Sequence, residues 1–127
     1  MMAKNNIAFV IVSYNSARTL RAAIESCIEA VKVFYPGRGR VIVYDNASKD
    51  KSVQILDDFA RRYPHIFIGK KGETNLGFGV ATNRAVAALP SKTYVLVNPD
   101  VTFKPKIISR LEATLNSQSD IAIVCPK

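Results

Sequence analysis

Asn98-Pro99-Asp100 closes an apolar run from Thr93 to Val97. Proline has no N–H to give to a ladder, so a strand ends at Asn98 and Asp100 is carried just beyond it. A carboxylate in that place reads in two ways. It is a turn residue or a cap before the helix that Pro105 opens. Or it is a hard oxygen ligand for a divalent cation that also grips a diphosphate. Three further polar stretches bear on the choice. Ser13-Tyr14-Asn15 follows the apolar run Ile7 to Val12, Asp45 to Asp50 follows Val41 to Tyr44, and Glu73 to Gly79 follows Ile66 to Ile68. Together they offer carboxylates, amides, hydroxyls and glycines. Such groups can read a nucleobase by hydrogen bonds and hold a diphosphate through a cation.

For these stretches to meet, the chain must bring them to one edge. Ile7 to Val12 is apolar throughout, as in a strand buried on both faces of a parallel sheet. Ser16 is placed to cap a first helix that runs to about Phe34, with Leu20, Ile24, Cys27, Ile28 and Val31 on its apolar face. Pro36-Gly37 stops it. Val41 to Tyr44 is a second strand. A helix near Lys51 to Tyr63 is expected to bury Val53, Leu56, Phe59 and Ala60, and Pro64 ends it. Ile66 to Ile68 is a third strand, and an alanine-rich helix spans about Val80 to Leu89, closed by Pro90. Tyr94 to Val97 is the fourth strand. The helix opened by Pro105 carries the stripe Ile107, Ile108, Leu111 and Leu115, and Ile121 to Val124 reads as a last strand. Strand and helix alternate, which predicts an α/β domain: a doubly wound, mostly parallel sheet flanked by helices over residues 1–127. In that architecture the carboxyl ends of the strands share one rim, where ligands bind.

Several chemistries fail on the residues. The loop after the first strand has no glycine, so it lacks the dinucleotide fingerprint; Gly77-Phe78-Gly79 half-matches it in the wrong place. There is no P-loop, no His/Cys metal cluster and no Ser-His-Asp set. His65, the single histidine, reads as structural. With 48% hydrophobic and 22% charged residues in 127, the chain can bury a core and is not disordered. No apolar run spans a bilayer. Lys4 followed by Ile7 to Val12 mimics a signal peptide, but the run is short and Ser13-Tyr14-Asn15 is no cleavage site. Cys27 and Cys125 both fall in core-like places, which predicts a reduced, cytoplasmic protein. The net charge of +8 suits an anionic partner. The basic residues are scattered without interleaved aromatics, which argues against nucleic acid.

The order Val12-Ser13-Tyr14-Asn15, Tyr44-Asp45-Asn46-Ala47-Ser48-Lys49-Asp50, Asn75-Leu76-Gly77-Phe78-Gly79, Asn83 and Val97-Asn98-Pro99-Asp100-Val101 resembles the family 2 glycosyltransferases of the GT-A fold. The Asn-Pro-Asp form is similar to their rhamnosyltransferase-like branch. The resemblance covers Ile7 to Pro126. It implies transfer of a sugar from a nucleotide-diphosphate sugar to an acceptor hydroxyl, with inversion. It implies that Val12, Ser13, Tyr14 and Asn15 wrap base and ribose, with Tyr14 packed on the base. Asp45 or Asn46 reads the base, and Asn75, Gly77 and Asn83 line the donor. Asn98 and Asp100 stand at the diphosphate, with Asp100 as ligand of Mg²⁺ or Mn²⁺.

Two departures carry consequences. Asn98-Pro99-Asp100 offers one carboxylate where the family usually has two, so Arg84 or Lys104 is expected to share in neutralising the diphosphate. No acid here matches the family's general base, which is expected beyond Lys127. The chain therefore reads as the N-terminal, donor-binding part of such an enzyme, with a sheet incomplete on its C-terminal side. An uncovered sheet surface predicts self-association. The implied acceptor is a saccharide or a lipid-linked one, and the basic surface is compatible with the inner face of a membrane. Two other readings stay open on the residues alone: a nucleotidyltransferase, and a non-enzymatic flavodoxin-like signalling or scaffold domain.

Overall fold

A computed structural model describes residues 5–127; residues 1–4, and with them Lys4 of the signal-peptide reading, lie outside the described residues. The order of elements is β1 (Asn5–Ser13), α1 (Ala17–Phe34), β2 (Gly39–Asp45), α2 (Ser52–Arg62), β3 (Phe67–Lys71), α3 (Phe78–Ala88), β4 (Ser91–Val97) and α4 (Pro105–Leu115). The strands lie in the order β3-β2-β1-β4, and all three pairings are parallel. The expected α/β architecture is present. The first three strands step one way across the sheet, and β4 returns to the other side of β1. The crevice between β1 and β4 is therefore the point where the winding reverses, the usual ligand position in such sheets.

Alternation along the strands divides the core. Ile7, Phe9, Ile11, Val41, Val43 and Phe67 face one way and pack with Leu20 and Ile24 of α1, Leu56 and Phe59 of α2, and Ile108 of α4. Ala8, Val10, Ile42 and Tyr44 face the other way and meet Ala81 and Ala85 of α3. Three helices cover one face and one helix covers the other. The small side chains of α3 let it lie close on β1 and β2. Phe9, Phe59, Leu20 and Ile24 are wholly buried, each contributing about 1.5–3 kcal/mol from the area it removes from water.

Several expectations are corrected. Residues 121–124 join no ladder, although β4 is an edge strand of the sheet. An apolar run becomes a strand only where a neighbour takes up its backbone groups, and none does here. Ile123 is 86% exposed, and Cys125 is exposed rather than core-like, whereas Cys27 is buried. On α2 the buried set is Ser52, Ile55, Leu56 and Phe59; Val53 is half-buried and Ala60 faces solvent. On α4 only Ile108 is fully buried, because Ile107, Leu111 and Leu115 border the open side of β4. His65 is exposed in the turn before β3. Helix α3 begins at Phe78, two residues early, because Gly77 turns the chain at φ +80°.

Candidate functional site

The register levels the strand ends. Ser13 stands opposite Asp45, and Asp45 opposite Lys71. Val97 pairs with Ile11, so Asn98 leaves the sheet level with Val12. The four polar loops thus emerge from one rim, as expected of a parallel sheet.

Asp45 is the centre of the rim. It is 1% exposed, and three donors reach its carboxylate: Ser13 Oγ at 2.8 Å, Ser48 N at 2.8 Å and Ser48 Oγ at 2.6 Å. A carboxyl group buried this far requires such partners. Asn46, 2% exposed, bridges to the next loop. Its backbone N–H donates to Ser13 O at 2.8 Å. Its side chain donates to Gly77 O at 3.2 Å and accepts from Leu76 N at 3.2 Å. Asn75 Oδ1 accepts from Gly77 N at 2.9 Å, an Asx turn that shapes the same loop. Gly72 N donates to Asp45 O at 2.7 Å. A Cβ at Gly72 would lie 2.9 Å from that oxygen, so only glycine fits this approach.

The β1–α1 and β2–α2 loops are laced together. Asn15 N donates to Ser48 Oγ at 2.8 Å, and Lys49 N to Asn15 Oδ1 at 2.9 Å. Ser16 N donates to Ser52 Oγ at 3.2 Å. Ser16 holds the N-cap position of α1 as expected, but its side chain makes no capping bond: Ser16 Oγ donates to Tyr14 O, and it is Asp50 that accepts from Ala17 N at 3.0 Å in the first turn of α1. The other oxygen of Asp50 accepts from Ser52 N at 2.9 Å. Hydrogen bonding with Ser52, aided by Ala17, holds the Asp50 carboxyl below the usual carboxylate range. Asn15 and Ala47, one in each loop, are the two non-glycine residues with positive φ among the described residues, at +49° and +63°.

Hydrogen bonds thus join Ser13, Asn15, Asp45, Asn46, Asn75 and Gly77. Val12 is half-buried at the top of β1, packed toward α3. Tyr14 is 47% exposed beside this network. Asn83 on α3, and Asn98 and Asp100 after β4, are exposed. Asn98 and Asp100 share the rim by topology and Asn83 lies in the second turn of α3, but none of the three makes a side-chain hydrogen bond to the network. Ser48, Asp50 and Ser52 were not singled out from the sequence. Their signal was present as the Ser-Lys-Asp-Lys-Ser run, but its partners lie 33 to 36 residues away in the chain.

Two concavities adjoin the rim. A polar one of about 440 Å³ is lined by Tyr44, Lys71, Gly72, Glu73, Thr74, Leu76 and Arg84. Arg84 therefore stands at the β3 side of the rim. A larger apolar one, about 680 Å³, runs along β4 and α4 and includes Leu96, Val101, Phe103 and Ile123. Among the described residues no cluster of three His, Cys, Asp or Glu could hold a metal unaided. Nor is any helix long and apolar enough to cross a membrane.

Comparison with known proteins bears on the fold and the family. The uncharacterized glycosyltransferase YibD of Escherichia coli K12 is 26% identical over 123 residues, which is 97% of this chain and 34% of YibD. The mannosyltransferase PcManGT of Pyrobaculum calidifontis, solved with GDP-Man and Mn²⁺, superposes with a TM-score of 0.79 at 18% identity, over 91% of this chain and 33% of that one. TarS of S. aureus, solved with UDP, gives 0.73 at 20% identity, over 88% and 32%. At these identities the structural likeness is one of fold, the GT-A fold. The chain spans about a third of the length of these relatives. The sequence profile described as glycosyl transferase family 2 matches residues 8–127. That match covers nearly the whole chain, and the chain belongs to glycosyl transferase family 2.

Proposed function

We propose that the chain binds the nucleotide-diphosphate sugar of an inverting glycosyltransferase at the β1–β4 rim. The observation that carries this reading is the joining of three loops through Asp45 and Asn46, beside the exposed Tyr14. Tyr14 packs on the base, and the polar edges of Asn15, Asn75 and Gly77 line the base and ribose. Asp45 and Asn46 spend their hydrogen bonds on the protein, so they serve chiefly to hold these loops in place. Asn83 and Asn98 face the sugar diphosphate.

Asp100 fits a divalent cation. Its carboxylate is exposed and takes no hydrogen bond or ion pair among the described residues. One carboxylate with donor phosphates is a common way to hold Mg²⁺, and Mn²⁺ takes the same oxygen ligands. Such an ion, when bound, stabilises charge on the departing diphosphate. In the reaction the acceptor oxygen bonds to the anomeric carbon, and the bond to the diphosphate breaks with its electron pair. The acceptor proton passes to a base that is not among the residues assigned here. The Asn-Pro-Asp form favours dTDP-rhamnose as donor, the family favours a saccharide or lipid-linked acceptor, and the net charge of +8 suits the inner face of a membrane.

A thermal-shift panel of UDP, dTDP, GDP and ATP, with and without Mn²⁺, tests this reading. Metal-dependent stabilisation by one nucleoside diphosphate is expected. A ligand at 100 times its Kd adds about 2.7 kcal/mol. No response to any nucleotide overturns the proposal.

A further inference from the structure

We infer that Ser48 and Asp50 are positioning residues, which fasten the β1–α1 loop to the β2–α2 loop and so hold Tyr14 ready for the donor. The inference rests on the donor-binding reading above. Tyr14 lies between two anchored neighbours. Ser13 is tied to Asp45 at 2.8 Å, and Asn15 to Ser48 and Lys49 at 2.8 and 2.9 Å. The Tyr14 side chain is 47% exposed, so packing does little to fix it and its backbone sets its posture. That backbone passes at once into a left-handed residue, Asn15 at φ +49°. An asparagine keeps such a conformation only where its surroundings support it. The support is Ser48 Oγ on its N–H and Lys49 N on its side chain.

Asp50 closes the clasp one step further on. One carboxylate receives the first-turn N–H of α1 at Ala17 and that of α2 at Ser52. It therefore fixes where the β1–α1 loop ends. The N–H and hydroxyl of Ser48 are engaged: its N–H and O–H go to Asp45, and its Oγ accepts from Asn15. Its effect on a ligand must pass through the Tyr14–Asn15 loop.

The test is calorimetric titration of the 127-residue chain with UDP, GDP and dTDP in Mn²⁺. The variants are Ser48→Ala, Asp50→Asn, Tyr14→Ala and the double variant Tyr14→Ala/Ser48→Ala. Ser48→Ala and Asp50→Asn should each weaken the bound nucleotide about tenfold. Asp58→Asn, at a half-buried ion-pair hub on α2, should leave affinity unchanged. Once Tyr14 is alanine, Ser48→Ala should cost less than about twofold more, because the two changes remove one coupled effect. Amide exchange at Asn15 should quicken in Ser48→Ala. The positioning role is overturned by a full, additive loss in the Tyr14→Ala background, or by unchanged affinity in both Ser48→Ala and Asp50→Asn. If the wild-type chain binds none of the three nucleotides, the donor-binding reading itself fails and takes this one with it.

Discussion

Ser13 and Asp45 end adjacent parallel strands, stand opposite each other in the ladder, and share a 2.8 Å hydrogen bond between side chains. This buried link turns two separate strand ends into one platform. The loops that follow inherit their relative positions from it.

Replacing Asp45 by Ala should therefore be costly to the fold. It leaves the Ser13 and Ser48 hydroxyls and the Ser48 N–H without their acceptor in a site that water scarcely reaches. A loss of about 2–4 kcal/mol is expected from the unsatisfied donors. Asp45→Asn, which keeps the shape and one acceptor oxygen, should lose less. Urea denaturation midpoints at constant slope measure both.

Asp100 should behave in the opposite way. It is exposed and touches no partner, so Asp100→Ala should change stability by less than about 0.5 kcal/mol. The same variant should abolish the Mn²⁺-dependent part of nucleotide binding, and EDTA should do so in the wild type. A full metal response in Asp100→Ala would remove this residue from the cation site.

Gly72→Ala probes the close approach at the rim. The added Cβ would sit 2.9 Å from Asp45 O and 3.1 Å from the Tyr44 ring and hydroxyl. Relief requires the loop after β3 to move away from Asp45, at about 1–3 kcal/mol. Nucleotide affinity should fall with it. Gly79→Ala, which meets nothing within 4 Å, is the control and should be nearly silent in stability.

Alkaline pH should loosen the junction of α1 with α4. The Tyr35 hydroxyl, at the end of α1, donates to Glu112 on α4 at 3.0 Å. Burial, and then this bond to a carboxylate, push the Tyr35 phenol up to about 12 from its ordinary value near 10. The folded state thus prefers the protonated phenol. Its contribution is complete below about pH 10 and is lost as pH rises toward 12. Tyr35→Phe should cost about 0.5–1.5 kcal/mol at neutral pH and should flatten the fall in stability between pH 10 and 12. Stability curves of both proteins across that range check the sign.

Much of this was legible before any coordinates. The unbroken apolar run of β1 and the 3.6-residue stripe of α1 are local patterns. So are the breaks at Pro36, Pro64 and Pro90. Local sterics and period fix such features, so residue order alone determined the alternation of strand and helix and the set of polar loops. It also carried the motifs of family 2. Tertiary structure alone decided what those loops do to one another. Asp45 and Asn46 look from the sequence like groups offered to a ligand, yet both are buried and bound to the protein. Ser48 and Asp50 look like turn residues, yet they grip a loop more than thirty positions earlier. Residues 121–124 look like a strand and are not one, because a strand is a relation to a neighbour. Hydrogen bonds between distant segments depend on strand order and register, and no local pattern of side chains encodes either.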